Sequence, residues 1–189
     1  MPNWCNNAVS FTHADSSFID RVELACKTHT LFSEFHPCPK ELTDTRSGFF
    51  GDKGYEAELQ KFKEDLNMKY FGFKDWYSWN TNNWGTKWDA ADITYDRHDE
   101  HTISLNFDTA WSPPTAFYEK MCELGFSVDA MYYECGMAFC GSWEDGMEDF
   151  YQIEGDSNWV RKHIPRGIDD TFCISEGMAE WEEDEKEQA

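Results

Sequence analysis

Thr102-Ile103-Ser104-Leu105-Asn106-Phe107-Asp108 alternates apolar and polar side chains without a break. Ile103, Leu105 and Phe107 fall on one side, Ser104, Asn106 and Asp108 on the other, the period of two expected of a strand with one buried face. Downstream, Ser112-Pro113-Pro114 opens a helix, since proline is preorganised for the first helical positions. Phe117, Met121 and Leu124 continue it to Gly125, a C-cap glycine. Phe126 to Tyr133 then reads as a strand, with Phe126, Val128, Ala130 and Tyr132 on one side. Gly136 to Trp143 reads as a further strand, turned back on it near Cys135-Gly136.

Upstream, Ala91 to Tyr95 alternates through Ile93 and Tyr95, and the charged run Asp96 to Glu100 makes the hairpin loop into the 102–108 strand. Ala8 to Thr12 is a strand by the same pattern. Asp15 and Ser16 stand where a helix N-cap belongs, and Phe18, Ile19, Val22, Ala25 and Cys26 follow at helical spacing, predicting a helix over 16–28. The prolines of His36-Pro37-Cys38-Pro39 enforce an extended loop. Tyr55 to Met68 reads as an exposed helix, and Gly85 to Trp88 as a turn. The order is β-α-(insertion)-β-β-α-β with one added strand. This predicts an α+β fold, a ferredoxin-like split βαβ sandwich whose antiparallel sheet carries two helices on one face. The domain spans 1–145 with an insertion at about 30–88, followed by an acidic extension over 146–189 whose last ten residues are expected to be disordered.

The chain has 189 residues, enough for one domain, and 17% aromatics, so its core is built on rings. It carries 37 acids against 16 bases, a net charge of -21. Such a balance argues against direct binding to nucleic acid or an anionic membrane, which require a cationic footprint. The other sheet face, which is left open or lies under the insertion and tail, agrees: Ser10, Thr12, Asp92, Thr94, Ser104, Asn106, Asp108, Asp129, Met131 and Tyr133 include no base. No apolar run is long enough for a transmembrane helix, and Met1-Pro2-Asn3-Trp4 shows no secretory signal. The seven cysteines are therefore expected as reduced thiols in a host-cell cytoplasm.

Three runs stand out: Met1-Pro2-Asn3-Trp4-Cys5-Asn6-Asn7, Asn83-Trp84-Gly85-Thr86-Lys87-Trp88 and Thr109-Ala110-Trp111-Ser112-Pro113-Pro114. Together they resemble the YubB ferredoxin-like domain family of phages and conjugative plasmids. The resemblance implies a ferredoxin-like fold and a mobile-element origin, and it implies no reaction. The residues themselves admit two readings. Trp4, Trp84, Trp88 and Trp111 are fold fasteners, with neighbouring Asn, Thr and Asp satisfying their N–H groups. Alternatively, Asn3, Trp4, Trp84, Lys87, Trp88 and Trp111 line a ligand pocket, in which Asn3, Asn83, Lys87 and Asp108 hold a small molecule or nucleotide.

No motif marks an enzyme. Cys26 with His29, His36 with Cys38, and Cys135 with Cys140 do not match zinc spacings, so no metal or other cofactor is expected. Gly48 to Gly54 is glycine-rich but lacks the lysine ending of a phosphate loop. Paired carboxylates such as Asp89 with Asp92, or Asp99 with Glu100, carry little information among 37 acids. The acidic segment says more. Residues 121–160 hold no Lys or Arg, and Glu144, Asp145, Glu148, Asp149, Glu154 and Asp156 alternate with Trp143, Met147, Phe150 and Tyr151. It is either a solvated face or an imitation of nucleic-acid phosphate, with the aromatics as anchors. The second reading makes the chain a non-enzymatic accessory protein, an anti-defence DNA mimic. Its partner is a host protein with a basic nucleic-acid-binding surface.

Overall fold

The computed structural model describes residues 3–48 and 54–187. Among them are six strands: β1 (Trp4–Thr12), β2 (Ala91–Arg97), β3 (Thr102–Ala110), β4 (Ser127–Glu134), β5 (Phe139–Glu144) and β6 (Met147–Gln152). All pair antiparallel in one mixed α+β body, in the order β2-β3-β1-β4-β5-β6. Between β1 and β2 lie α1 (Ser16–Thr28), α2 (Leu31–Phe35), α3 (Lys40–Thr43), α4 (Tyr55–Phe71) and α5 (Trp76–Asn83). α6 (Thr115–Glu123) joins β3 to β4, and α7 (Ser157–His163), α8 (Arg166–Phe172) and α9 (Ile174–Glu187) follow β6.

The principal core sits on one face of the sheet. Val9, Phe11, Leu105, Phe107, Val128 and Trp143 meet Ile19 and Val22 of α1, Phe32 of α2 and Phe117 of α6. Leu42, Trp79 and Trp84 join the same core, so the 30–88 segment packs as part of this body. β1 starts four residues before the predicted strand because it is central, paired on both sides. That position gives the poor strand former Asn7 its partners. Buried, its Nδ2 donates to the carbonyls of Cys5 and Phe107 and to Thr109 Oγ1, and the Tyr118 hydroxyl donates to its Oδ1. α5, which shows no apolar periodicity, is started by a capping box in which Asp75 accepts from Ser78 N–H and Ser78 Oγ accepts from Asp75 N–H.

The second sheet face, expected to be open or to lie under the insertion and tail, is covered in part by the tail. Met131 and Tyr133 are packed under the C-terminal helices in a second core with Cys140, Val160, Ile164, Ile168 and Ile174. Thr12, Thr94, Asn106 and Asp129 of that face stay exposed. β4 and β5 extend the apolar surface sideways, and 146–189 supplies Ile153, Val160, Ile164, Ile168 and Ile174 to cover part of it. A boundary at 145/146 falls inside the β5–β6 hairpin, whose turn holds Asp145 and Gly146 at φ 43° and 97°. Asp-Gly is the residue pair that such a turn favours. α9 runs along the acidic tail as far as Glu187, and Glu182 accepts from Ser157 N–H and Oγ–H, clamping α9 to the start of α7. The glycine-rich run 48–54 lies mostly outside the described residues, which exclude 49–53. No helix among the described residues is long and apolar enough to cross a membrane.

Candidate functional site

The second and third conspicuous sequence runs fasten one another. Gly85, at φ 86°, lies so close to the 112–115 backbone that an added Cβ would stand 3.1 Å from Pro113 O. Ser112 Oγ donates to Gly85 O at 2.6 Å, and Thr86 Oγ1 donates to Ala110 O at 2.9 Å. Trp111 N–H donates to Asn3 O at 2.9 Å, which ties in the first run. These bonds to the backbone hold the runs carrying Trp4, Trp88 and Trp111 together without burying the three rings.

Trp84 is the exception. It is 5% exposed, packs against Phe32 and Trp79, and donates from Nε1 to His36 O at 2.8 Å. Trp4, Trp88 and Trp111 are 38%, 40% and 43% exposed. Trp88 stacks on Trp111 at 6.2 Å between centroids and 28° between planes, and Trp4 lies 6.5 Å from Trp88. Lys87 Nζ stands 4.4 Å from the Trp88 centroid, 5.1 Å from Trp111 and 5.7 Å from Tyr77. It makes no ion pair among the described residues, in a chain of 37 acids. Trp111 holds φ at 68°, a left-handed conformation that a bulky residue adopts only at a cost of order 1–2 kcal/mol. Of the predicted pocket, then, Trp4, Lys87, Trp88 and Trp111 form an exposed ladder, Asn3 supports it through its carbonyl, and Trp84 belongs to the core. Asn83 Oδ1 instead pairs with His36 Nε2 at 3.3 Å, and Asp108 accepts from Asn6 Nδ2 at 2.7 Å.

Beside the ladder is a surface cavity of about 420 Å³ between α2, α3 and α5, with Trp88 in its wall. Sequence reasoning missed its α5 contribution, Trp76 and Asn80, because 76–83 carries no helical apolar pattern; the signal that marks it is the Asp75–Ser78 capping pair.

The six acidic residues divide into two groups. Asp145 accepts from Val128 N–H at 2.8 Å and Ser127 Oγ at 3.0 Å, and these bonds, the Val128 N–H first, hold its carboxyl below the ordinary value. Glu148 accepts the Tyr132 hydroxyl at 2.6 Å; burial first, and then this carboxylate, pushes the Tyr132 hydroxyl far above the usual tyrosine range. Asp156 caps α7 by accepting from Trp159 N–H. These three serve the fold. Glu144, Asp149 and Glu154 are exposed and accept no side-chain hydrogen bond among the described residues. They lie on β5, on the edge strand β6, and just beyond it.

The other candidate chemistry is dispersed. Asp89 accepts from the backbone N–H groups of Phe32 and Ser33, holding the start of α2. Burial pushes the Cys26 thiol up to about 12 and Cys38 and Cys140 up to about 11, and it lowers His36, whose ring stacks on Trp79. Thiols so raised stay protonated and are poor nucleophiles. Among the described residues no group of three His, Cys, Asp or Glu is placed to hold a metal ion.

No protein-family model and no curated protein matches this chain. Among solved structures it is similar to a crystal structure of a protein api92 from Yersinia pseudotuberculosis, family-model DUF1281, with 12% identity and a TM-score of 0.45 over 82% of this chain and 99% of that one.

Proposed function

We propose that this chain is a non-enzymatic binding protein whose site is the ladder of Trp4, Trp88 and Trp111 with Lys87. Its ligand is a small planar aromatic molecule carrying negative charge, the class to which nucleotides belong. One observation carries the reading: Lys87 stands over the rings of two partly exposed tryptophans with no carboxylate partner among the described residues. Lys87 already occupies the seat that a ligand cation would take over these rings, so the ladder presents positive charge and attracts an anion. Exposed rings supply stacking of about 1–3 kcal/mol per base. The strain at Trp111 fits a residue held for recognition. The repulsion from a net charge of -21 is screened beyond about 8–10 Å at ordinary salt, whereas the ammonium group acts at contact.

Titration of the nine tryptophans by fluorescence tests this. Nucleoside monophosphates should quench. Lys87→Met, which keeps the apolar stem, should weaken them about tenfold while leaving the uncharged nucleosides unchanged, the size expected for loss of one charge-assisted contact. Absence of quenching by every nucleotide up to millimolar concentration would sink the proposal.

The ferredoxin-like reading is kept as part of the proposal. It is supported by the order β2-β3-β1-β4 with α1 and α6 as crossovers, the arrangement of a split βαβ unit. The resemblance to the YubB family supports a phage or plasmid origin. A second reading, docking on the basic surface of a host nucleic-acid-handling protein, is favoured by the three unpartnered carboxylates Glu144, Asp149 and Glu154 beside exposed Met147 and Phe150. Its mark would be affinity that falls with salt and with Ser at those three positions, and is indifferent to Lys87→Met.

A further inference from the structure

The cavity beside the ladder has a polar group in its wall with nothing to bind. Asn80, on α5, is 6% exposed. Its Nδ2 donates to the carbonyl of Lys87 at 2.9 Å, which fixes the orientation of the amide. Its Oδ1 is shielded from water and accepts no hydrogen bond, the one such side-chain atom among the described residues. A buried acceptor left unpaired is costly, so natural structures leave few of them and those few point to a missing partner. Around it the cavity is aromatic: Trp76, Trp84 and Trp88 line it together with Cys38, whose thiol burial keeps protonated, and Ser33. Its volume of about 420 Å³ lies within the range of small-ligand sites, roughly 300–1,000 Å³.

Two links join this cavity to the ladder. Trp88 belongs to both, and Lys87 holds Asn80 through its backbone while its ammonium group lies over Trp88 and Trp111. Resting on the ligand reading above, we infer that the ring of the ligand enters this cavity and that the cavity wall shifts enough for the shielded Asn80 Oδ1 to accept a hydrogen bond from its amino group. The ligand class narrows to a nucleotide with an amino-bearing base, its phosphate at Lys87. A base without the amino group satisfies the stacking surfaces but leaves Asn80 Oδ1 unpaired, and a site that hydrogen-bonds a buried donor discriminates against the analogue that lacks it.

The test uses the intact chain and matched pairs of probes that differ by one amino group. These are adenosine against purine riboside 5′-monophosphate, guanosine against inosine 5′-monophosphate, and cytidine against 2-pyrimidinone riboside 5′-monophosphate, each titrated by calorimetry. The tightest amino-bearing member should lose about tenfold or more in affinity when its amino group is removed. In Asn80→Ala that difference should vanish. Because the pairs are compared on the unaltered protein, the result stands even where the variant folds poorly. Equal affinity within every pair overturns the Asn80 assignment and leaves the ladder reading intact. No binding by any of the six overturns both. Binding that keeps the full discrimination in folded Asn80→Ala also overturns the assignment, because the amino group is then read elsewhere.

Discussion

Asp145 shows how a residue that looks like surface charge can be structural. Its carboxylate reaches back from the β5–β6 turn to Val128 N–H and Ser127 Oγ, so it pins the start of β4. Asp145→Ser should cost about 1 kcal/mol at neutral pH, as removal of a comparable side-chain cap does. The carboxyl is held below its ordinary 3.8, so the ionised form is the one that stabilises the fold. Its contribution is complete above 3.8 and is lost as pH falls through the lower folded value. Urea unfolding midpoints of parent and variant should therefore converge in acid. Trp111 gives the opposite case, an exposed ring held at φ 68°. Trp111→Asn places a residue that tolerates the left-handed region there. The thermal midpoint should stay level or rise, while quenching by nucleotides weakens about tenfold from loss of one stacking face. A large drop in the midpoint would instead make Trp111 a fastener.

At the scale of elements, the C-terminal helices carry a core of their own. Ile168→Ala, in the middle of it, should cost about 2–5 kcal/mol, measured by chemical denaturation. Deleting residues 180–189 removes Glu182 and with it the clamp on Ser157. Hydrogen exchange should then quicken in α7 and α9 and remain slow in β1 and β3, whose core is on the other face. Uniform quickening would mean that the two cores unfold as one. The same helices cover Met131 and Tyr133 of β4 and Cys140 of β5 on the second face.

For the whole molecule the governing quantity is charge. Eighteen of the 37 acids and only four of the 16 bases lie after residue 120. Self-repulsion of this kind destabilises the compact state and is relieved by counterions. Raising the salt from about 20 mM to about 300 mM should raise the thermal midpoint, as calorimetry would show, whereas a chain held by its surface ion pairs would lose stability under the same change.

The period-two runs at 102–108 and 126–133, and the capped helix at 16–28, are legible in the sequence because each is set by local rules: alternation, capping and side-chain spacing. The conspicuous Trp and Asn runs are legible as belonging together, but not their division into one core tryptophan and three exposed ones. That division depends on which ring finds a distant acceptor, as Trp84 finds His36 O, 48 residues away. β6 and α9 are hidden by their acidity. β6 pairs with β5 and α9 is held by α7 and α8, so local composition reads as tail where packing makes a strand edge and a clamped helix. Asn80 is the furthest from view. Nothing in Trp76-Tyr77-Ser78-Trp79-Asn80 marks one amide oxygen as unpaired, since a hydrogen bond left unmade is a property of the neighbours that tertiary structure brings, or fails to bring, to it.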